Sequence, residues 1–148
     1  QFLRLESTRA SGSIEWLLEL TDSIITYRSR YMSQPELLPA LDLIVFDTAN
    51  PHAVVFQLQN LTRYLRSLAR ELGDAYDNSL QLAFTRLQTF DLARFENLNF
   101  SDCKGCKPCL DLADVLDEIS SAAATLSDHL AMRYFTHVGD VGRQTLAA

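Results

Sequence analysis

The sequence predicts an all-α protein built as an antiparallel bundle of about five helices. Apolar side chains recur at steps of three and four residues along several long segments, the spacing that places them on one face of a helix. Only 5 Gly and 4 Pro occur in 148 residues, which is too few turn signals for a protein of many short strands. No segment alternates apolar and polar residues between turns as a strand would. Helices joined by short loops are expected to pack antiparallel.

The first predicted helix runs from Ser13 to Tyr31, after a short helical stretch at Phe2–Arg9 that ends at the Ser11-Gly12 break. Its apolar residues form two stripes, one of Ile14, Leu17, Leu18, Ile24 and Ile25 and the other of Trp16, Leu20, Tyr27 and Tyr31. A helix that is apolar on two sides lies between neighbours, so we expect this one to be central.

Proline marks the beginning of the next two helices, because its missing N–H is not needed in the first turn. The second is predicted over Pro35–Phe46. The third takes Asn50 as its N-cap and Pro51 as its first residue, and Gly73 ends it as a left-handed cap. Its seam, which is typical of a helix bundle, contains Val54, Leu58, Leu61, Leu65, Leu68 and Leu72.

The fourth helix is predicted from a cap at Asp74 to about Phe95, and residues 96–109 are expected to be irregular. The fifth runs from about Leu110 to His137, where Gly139 and Gly142 end it. Its seam contains Leu112, Leu116, Ile119, Ala123, Leu126 and Leu130. There is no internal repeat, low-complexity stretch or linker, so residues 1–148 are predicted to form a single helical domain.

Composition excludes several classes of partner. The net charge of −6 disfavours nucleic acid, which binds basic surfaces. No run of about 18 apolar residues exists, so no membrane span is predicted. The three cysteines are odd in number and fall within seven residues, unlike a secreted disulfide framework, so we expect a cytoplasmic protein. Because the chain begins at Gln1, we expect it to be a piece of a longer polypeptide.

The segment 22–31 is polar and aromatic where an ordinary bundle helix would be rich in Lys, Glu and Ala. On a helix Tyr27, Arg30 and Tyr31 lie close together, whereas Arg28 and Arg30 are about 200° apart and cannot serve one site. One interpretation is that an arginine binds a carboxylate or phosphate, assisted by tyrosine hydroxyls. The alternative is that the arginines pair with acids of the same chain and the tyrosines fill the core.

Asp22 and Asp47 are the acids that this alternative would use. Asp47 also begins a loop that leads through Asn50 and Pro51 to His52. The N–H groups at this predicted helix start could bind an anion, with His52 as a donor or base. The alternative is that Asn50 only caps the helix and that His52 is a polar surface residue.

The run Cys103-Lys104-Gly105-Cys106-Lys107-Pro108-Cys109 has a spacing at which thiolates converge on a metal ion or an iron–sulfur cluster. The fourth cysteine of such a site does not occur in the sequence. A redox role and an ordinary reduced loop are the alternatives, and no cofactor is predicted. No catalytic motif and no nucleophile–base pair can be identified, so the chain is not expected to be catalytic on its own.

Three stretches of the sequence resemble the bacterial alpha-E family. They are an Asp-Ser-x-x-x-Tyr-Arg-x-Arg-Tyr segment at 22–31, an apolar helix that ends at Asp47, and Asn50-Pro51 followed by Gln57-Leu58. The end of the chain, over 126–137, is similar too. The resemblance is to the C-terminal half of the family's region, without its opening helices that bear glutamate and arginine. It implies an all-helical fold.

The resemblance also implies a partner, an ATP-grasp-type ligase that acts in peptide or amide-bond synthesis. Proteins of the family often occur together with transglutaminase-like proteins, which are a second possible partner. Formation of a homo-oligomer is left open. The site residues it implies are Asp22, Tyr27, Arg28, Arg30, Tyr31, Asp47, Asn50 and Gln57. Two positions depart from the family pattern, Ala49 where an acid is usual and His52-Ala53 where Arg-Ser is usual. Three functions follow: an accessory domain of the ligase, part of a site for a carboxylate- or phosphate-bearing peptide, or a metal- or redox-responsive module.

Overall fold

The computed structural model describes residues 2–4, 12–72, 78–96 and 106–145. These ranges contain six α-helices and no strand, which confirms the all-α class. The helices are α1 (Ser13–Leu20), α2 (Ile24–Tyr31), α3 (Leu37–Leu41), α4 (Val54–Leu72), α5 (Ser79–Gln88) and α6 (Lys107–Thr145). A π-helical turn, Asp42–Phe46, continues α3, and short 3-10 helices lie at Phe2–Arg4 and Leu92–Phe95.

The single helix predicted over 13–31 is wrong, because residues 21–23 separate α1 from α2. Asp22 adopts a left-handed conformation with φ of 54°, which aspartate tolerates better than most residues. The hydroxyls beside it bond to nearby carbonyls: Thr21 Oγ1 donates to Leu17 at 3.0 Å and Ser23 Oγ donates to Thr21 at 3.0 Å. Such local bonds compete with the backbone hydrogen bonds of the helix, and α1 ends here.

The second and third helices begin later than their prolines predict. Pro35 lies before α3, which begins at Leu37. Asn50 and Pro51 form a turn closed by the Ala53 N–H, which donates to the Asn50 carbonyl at 2.9 Å. Helix α4 begins after this turn at Val54, and its predicted cap Gly73 lies outside the described residues.

Helix α5 begins at Ser79 and ends at Gln88, short of the predicted Phe95, and Asp74 lies outside the described ranges. Helix α6 begins three residues before the predicted start and passes Gly139 and Gly142 without ending. Glycine only weakens a helix interior, by about 1 kcal/mol relative to alanine, so the two glycines do not have to stop it.

The predicted seams of α4 and α6 form the core. Leu58 and Leu65 are buried, as are Leu112 and Ile119. The half-buried members of the two seams are Val54, Leu61, Leu68, Leu116, Ala123, Leu126 and Leu130. Helix α5 packs against α6 and contributes Leu87 to the same core. The predicted central helix is only partly buried, since Trp16 and Leu20 of its second stripe are exposed.

At the N-terminus, the 3-10 helix at 2–4 lies against α6. Arg4 Nη2 is 2.7 Å from a carboxylate oxygen of both Asp114 and Asp117. Within the described ranges, no helix combines the length and the apolar character that crossing a membrane would require.

Candidate functional site

The π-helical turn brings two acids to the same side of the chain. The N–H of Asp47 donates to the carbonyl of Asp42 at 2.9 Å, which closes a turn of five residues. In a π-helical turn, residues five apart lie about one turn apart. In an α-helix they would be about 140° apart around the axis. The wide turn therefore directs both carboxylates towards α2, where each finds a partner.

Arg30 of α2 forms an ion pair with Asp47, with Nη1 2.5 Å from Oδ2. The Asp47 side chain is only 11% exposed, and that of Arg30 is 42% exposed. Oδ1 of Asp47 accepts a hydrogen bond from the Ala49 N–H at 2.7 Å. Burial alone would raise the pKa of Asp47, but the N–H of Ala49, the guanidinium of Arg30 and the N–H of Asn50 together lower that pKa below the usual 3.8.

Tyr31 is the second link between α2 and the π-helical turn. Its hydroxyl lies 3.4 Å from Oδ2 of Asp42, to which it donates. Burial raises the pKa of the Tyr31 phenol and the negative charge of Asp42 raises it further, while Arg30 acts in the opposite direction. The phenol therefore stays protonated and remains a hydrogen-bond donor.

Tyr27 fills the core behind these pairs. It is completely buried, and its ring centroid lies 4.8 Å from that of Tyr31. Its hydroxyl accepts a hydrogen bond from the Glu36 N–H at 3.0 Å and donates to the Gln34 carbonyl at 3.4 Å. Tyr27 therefore holds the connection between α2 and α3 in place and is not directed towards solvent.

The remaining candidate residues of the motif, Arg28 and Asp22, are exposed. Arg28 pairs with Glu15 of α1, and both side chains are largely exposed. Asp22 is exposed and forms the left-handed turn between the two helices. The two arginines thus have different partners on different neighbours, as their angular separation on a helix requires.

Asn50 is a buried polar residue at the centre of the site, with 4% of its surface exposed. Its Nδ2 donates to the Leu43 carbonyl at 2.9 Å and lies 3.5 Å from the hydroxyl of Ser23. Its Oδ1 accepts from the His52 N–H at 3.1 Å. One side chain therefore joins the α1–α2 turn, the π-helical turn and the chain that enters α4.

His52 and Gln57 lie at the edge of this region and are both exposed. Gln57 Nε2 donates to the carbonyl of Pro51 at 2.6 Å, which braces the turn before α4. Because α4 begins at Val54, His52 precedes its first turn and the helix start predicted at Asn50-Pro51 is wrong.

Sequence reasoning did not select Ser23 or Asp42 as site residues. Ser23 is completely buried beside Asn50, and Asp42 binds Tyr31. The three consecutive polar residues at 21–23 were a signal for the first. For Asp42 the sequence held no comparable signal, because a π-helical turn has no pattern that distinguishes it from an α-helix.

Two surface clefts border α6, one beside α5 and the other beside the chain at 86–94. The larger, of about 940 Å³, contains the ion pair of Arg86 with Glu118. The smaller, of about 410 Å³, contains Arg94, whose Nη2 is 2.5 Å from Asp111 Oδ2. Neither cleft is lined by a residue that the sequence predicts as part of the site.

The cysteine run is only partly described, since Cys103 lies outside the described residues. Cys106 and Cys109 are both buried, with their sulfur atoms 3.0 Å apart. No group of three or more His, Cys, Asp or Glu side chains that could hold a metal ion occurs within the described part of the chain. A metal ion or cluster on all three cysteines stays one of the alternatives that the sequence offers.

The fold and this site define an all-helical domain in which a polar, aromatic motif joins consecutive helices. A family model named Alpha-E, described as a predicted alpha-helical domain with a conserved ER motif, matches residues 2–135. The chain belongs to the Alpha-E family. No curated protein and no solved structure was found to match it. No glutamate in the sequence is followed directly by an arginine, so that description assigns none of the candidate residues to its motif.

Proposed function

We propose that this chain is a non-catalytic accessory domain that binds an ATP-grasp-type ligase acting in peptide or amide-bond synthesis. Membership of the Alpha-E family supports the proposal, together with the partner that the sequence resemblance implies. The observation that carries it is the pairing of both motif arginines with acids of their own chain.

The Arg30–Asp47 pair supports a structural role for the motif, in which it stabilises the fold of the domain. A ligand carboxylate at Arg30 would have to displace Asp47, which the Ala49 N–H also holds. That exchange would leave a largely buried Asp47 carboxylate without its cation, a cost that an incoming ligand must overcome. The motif therefore serves best to fasten α2 to the chain before α4, and the domain so formed serves as a binding partner.

Co-expression with an ATP-grasp-type ligase of the same organism tests the proposal. We expect a complex of fixed stoichiometry in size-exclusion chromatography with light scattering. We also expect the rate of ADP release by the ligase, with a peptide and an amine donor present, to change when the chain is added. Separate elution of the two proteins at micromolar concentrations would reject the accessory role.

A second candidate function, binding of a peptide carboxylate by Arg30, is favoured by the 42% exposure of its side chain. Arg30→Ala distinguishes the two functions, with Arg63→Ala as the matched control, since Arg63 is exposed on α4, bonds to Asn60 at 2.9 Å and lies over the Tyr64 ring of the same helix. If the chain is an accessory domain, we expect Arg30→Ala to lower the urea midpoint of unfolding relative to the control. At urea concentrations below that midpoint, the variant should still form the complex. A variant as stable as the control that no longer supports ADP release would favour the carboxylate site.

A further inference from the structure

We propose that Cys106 and Cys109 form a redox-active dithiol, which a small peroxide converts to an intramolecular disulfide at the beginning of α6. Their sulfur atoms are 3.0 Å apart. A disulfide bond is about 2.05 Å long, so the sulfur atoms have to approach by only about 1 Å. The proposal goes beyond the accessory function and does not depend on it.

The local backbone holds the two thiols face to face. Cys106 is the residue before α6, and Cys109 lies in the first turn of that helix. The Leu110 N–H donates to the Cys106 carbonyl at 3.1 Å, and the Cys109 N–H donates to Cys106 Sγ at 3.4 Å. These bonds fold the connecting residues, Lys107 and Pro108, into a helical turn that leaves the sulfur atoms in contact. Closing the bond therefore requires little change in the chain.

Because both thiols are buried, we expect a small oxidant to react with them faster than a bulky one. Cys106 is 8% exposed and Cys109 is 7% exposed, and both belong to the hydrophobic core. A bulky disulfide reagent would reach either sulfur poorly, whereas hydrogen peroxide is little larger than water. We therefore expect peroxide to oxidise the pair and glutathione disulfide to do so more slowly, because access to sulfur is one determinant of the rate of thiol oxidation and exchange.

The reaction is a two-electron oxidation in two steps. One thiolate attacks an oxygen of the peroxide and becomes a sulfenic acid, and the released hydroxide takes a proton to become water. The second thiolate then attacks the sulfenic sulfur, the S–S bond forms, and the hydroxyl group leaves as a second water. Two thiols and one peroxide thus give one disulfide and two waters, and an external thiol can reverse the bond by exchange.

The test treats the intact chain with hydrogen peroxide, blocks remaining thiols with N-ethylmaleimide and maps the peptides by mass spectrometry. We expect the number of blocked thiols to fall from 3 to one, with a cross-link between Cys106 and Cys109 and a mass loss of two hydrogens before blocking. Dithiothreitol should restore all three thiols.

Cys103→Ser is the matched control, because it removes the cysteine that the proposal does not use. The variant is expected to form the same cross-link at the same rate. A cross-link that includes Cys103, or loss of oxidation in Cys103→Ser, would overturn the assignment. Stoichiometric zinc in the purified chain that blocks the cross-link would overturn it in favour of a metal site.

Discussion

Replacement of Asn50 by Ala is expected to destabilise the folded chain by about 2–3 kcal/mol. The side chain is 4% exposed and makes two well-formed hydrogen bonds, to the Leu43 carbonyl at 2.9 Å and from the His52 N–H at 3.1 Å. Each bond contributes about 0.5–1.5 kcal/mol net, and leaving a buried partner unpaired adds to the loss. The contact with Ser23, at 3.5 Å, is too long to add much.

The matched control is Asn78→Ala. Asn78 is exposed at the beginning of α5 and makes no side-chain cap bond. Its replacement is expected to change the free energy of unfolding by less than about 0.5 kcal/mol, as is usual for a surface substitution. The pair of variants thus removes the same chemical group from a buried and from an exposed position.

Urea unfolding followed by far-ultraviolet circular dichroism measures both values, with a common slope as the check on two-state behaviour. An Asn50→Ala variant within about 0.5 kcal/mol of the control would refute the structural role assigned to this residue. It would instead favour the ligand-binding interpretation, in which Asn50 contributes little to folding.

Three further predictions concern the same domain. Asp47→Asn is expected to cost about 1 kcal/mol at neutral pH, because the arginine partner is partly exposed. Since the pKa of Asp47 is lowered on folding, its contribution is complete above the usual 3.8 and is lost as pH falls through the lower folded value, so the urea midpoints of variant and wild type should converge as the pH is lowered below 3.8. Tyr27→Phe removes the hydroxyl of a completely buried residue, and with it the bonds to the Glu36 N–H and the Gln34 carbonyl, and should cost about 1 kcal/mol. Tyr64→Phe, at a residue 64% exposed, should be neutral in the same urea assay. Leu112→Ala should cost about 2–5 kcal/mol and lower the thermal midpoint measured by calorimetry, and the exposed Leu82→Ala should not.

The helices with long apolar seams were predictable from sequence. In α4, Leu58 and Leu65 occupy buried seam positions, and in α6 Leu112 and Ile119 do so. Over such lengths the 3–4 spacing leaves one face apolar, and burial of that face decides the structure. The helix ends were less predictable, because capping residues such as Asn50 also stabilise turns that precede a helix.

The break at 21–23 was not predicted because both apolar stripes continue across it at helical spacing. The spacing of apolar residues indicates which side chains face the core. Two short helices can place those side chains in the core as well as one long helix can. The conformation of Asp22, with φ of 54°, depends on local bonds of Thr21 and Ser23 that a hydrophobic pattern does not include.

For the candidate site, sequence reasoning named pairing of the arginines with internal acids such as Asp22 or Asp47 as one of two alternatives, and the structure contains an Arg30–Asp47 pair. It placed Tyr27, Arg30 and Tyr31 together, and the two rings do lie 4.8 Å apart at their centroids. The contribution of Asp42 could not be predicted, because it depends on one hydrogen bond that spans five residues instead of four.

That wider hydrogen bond makes chain length itself a constraint between Asp42 and Asp47. Deleting one residue of the stretch 43–46 would leave the two acids four residues apart, a separation that an ordinary α-helical turn aligns, so both could still face α2. A five-residue separation in an α-helix would instead place them about 140° apart, and one acid would lose its partner. Homologous chains that keep Arg30, Tyr31 and both acids should therefore combine a five-residue separation with a π-helical turn or a four-residue separation with an α-helical turn, even where the apolar side chains between the acids vary.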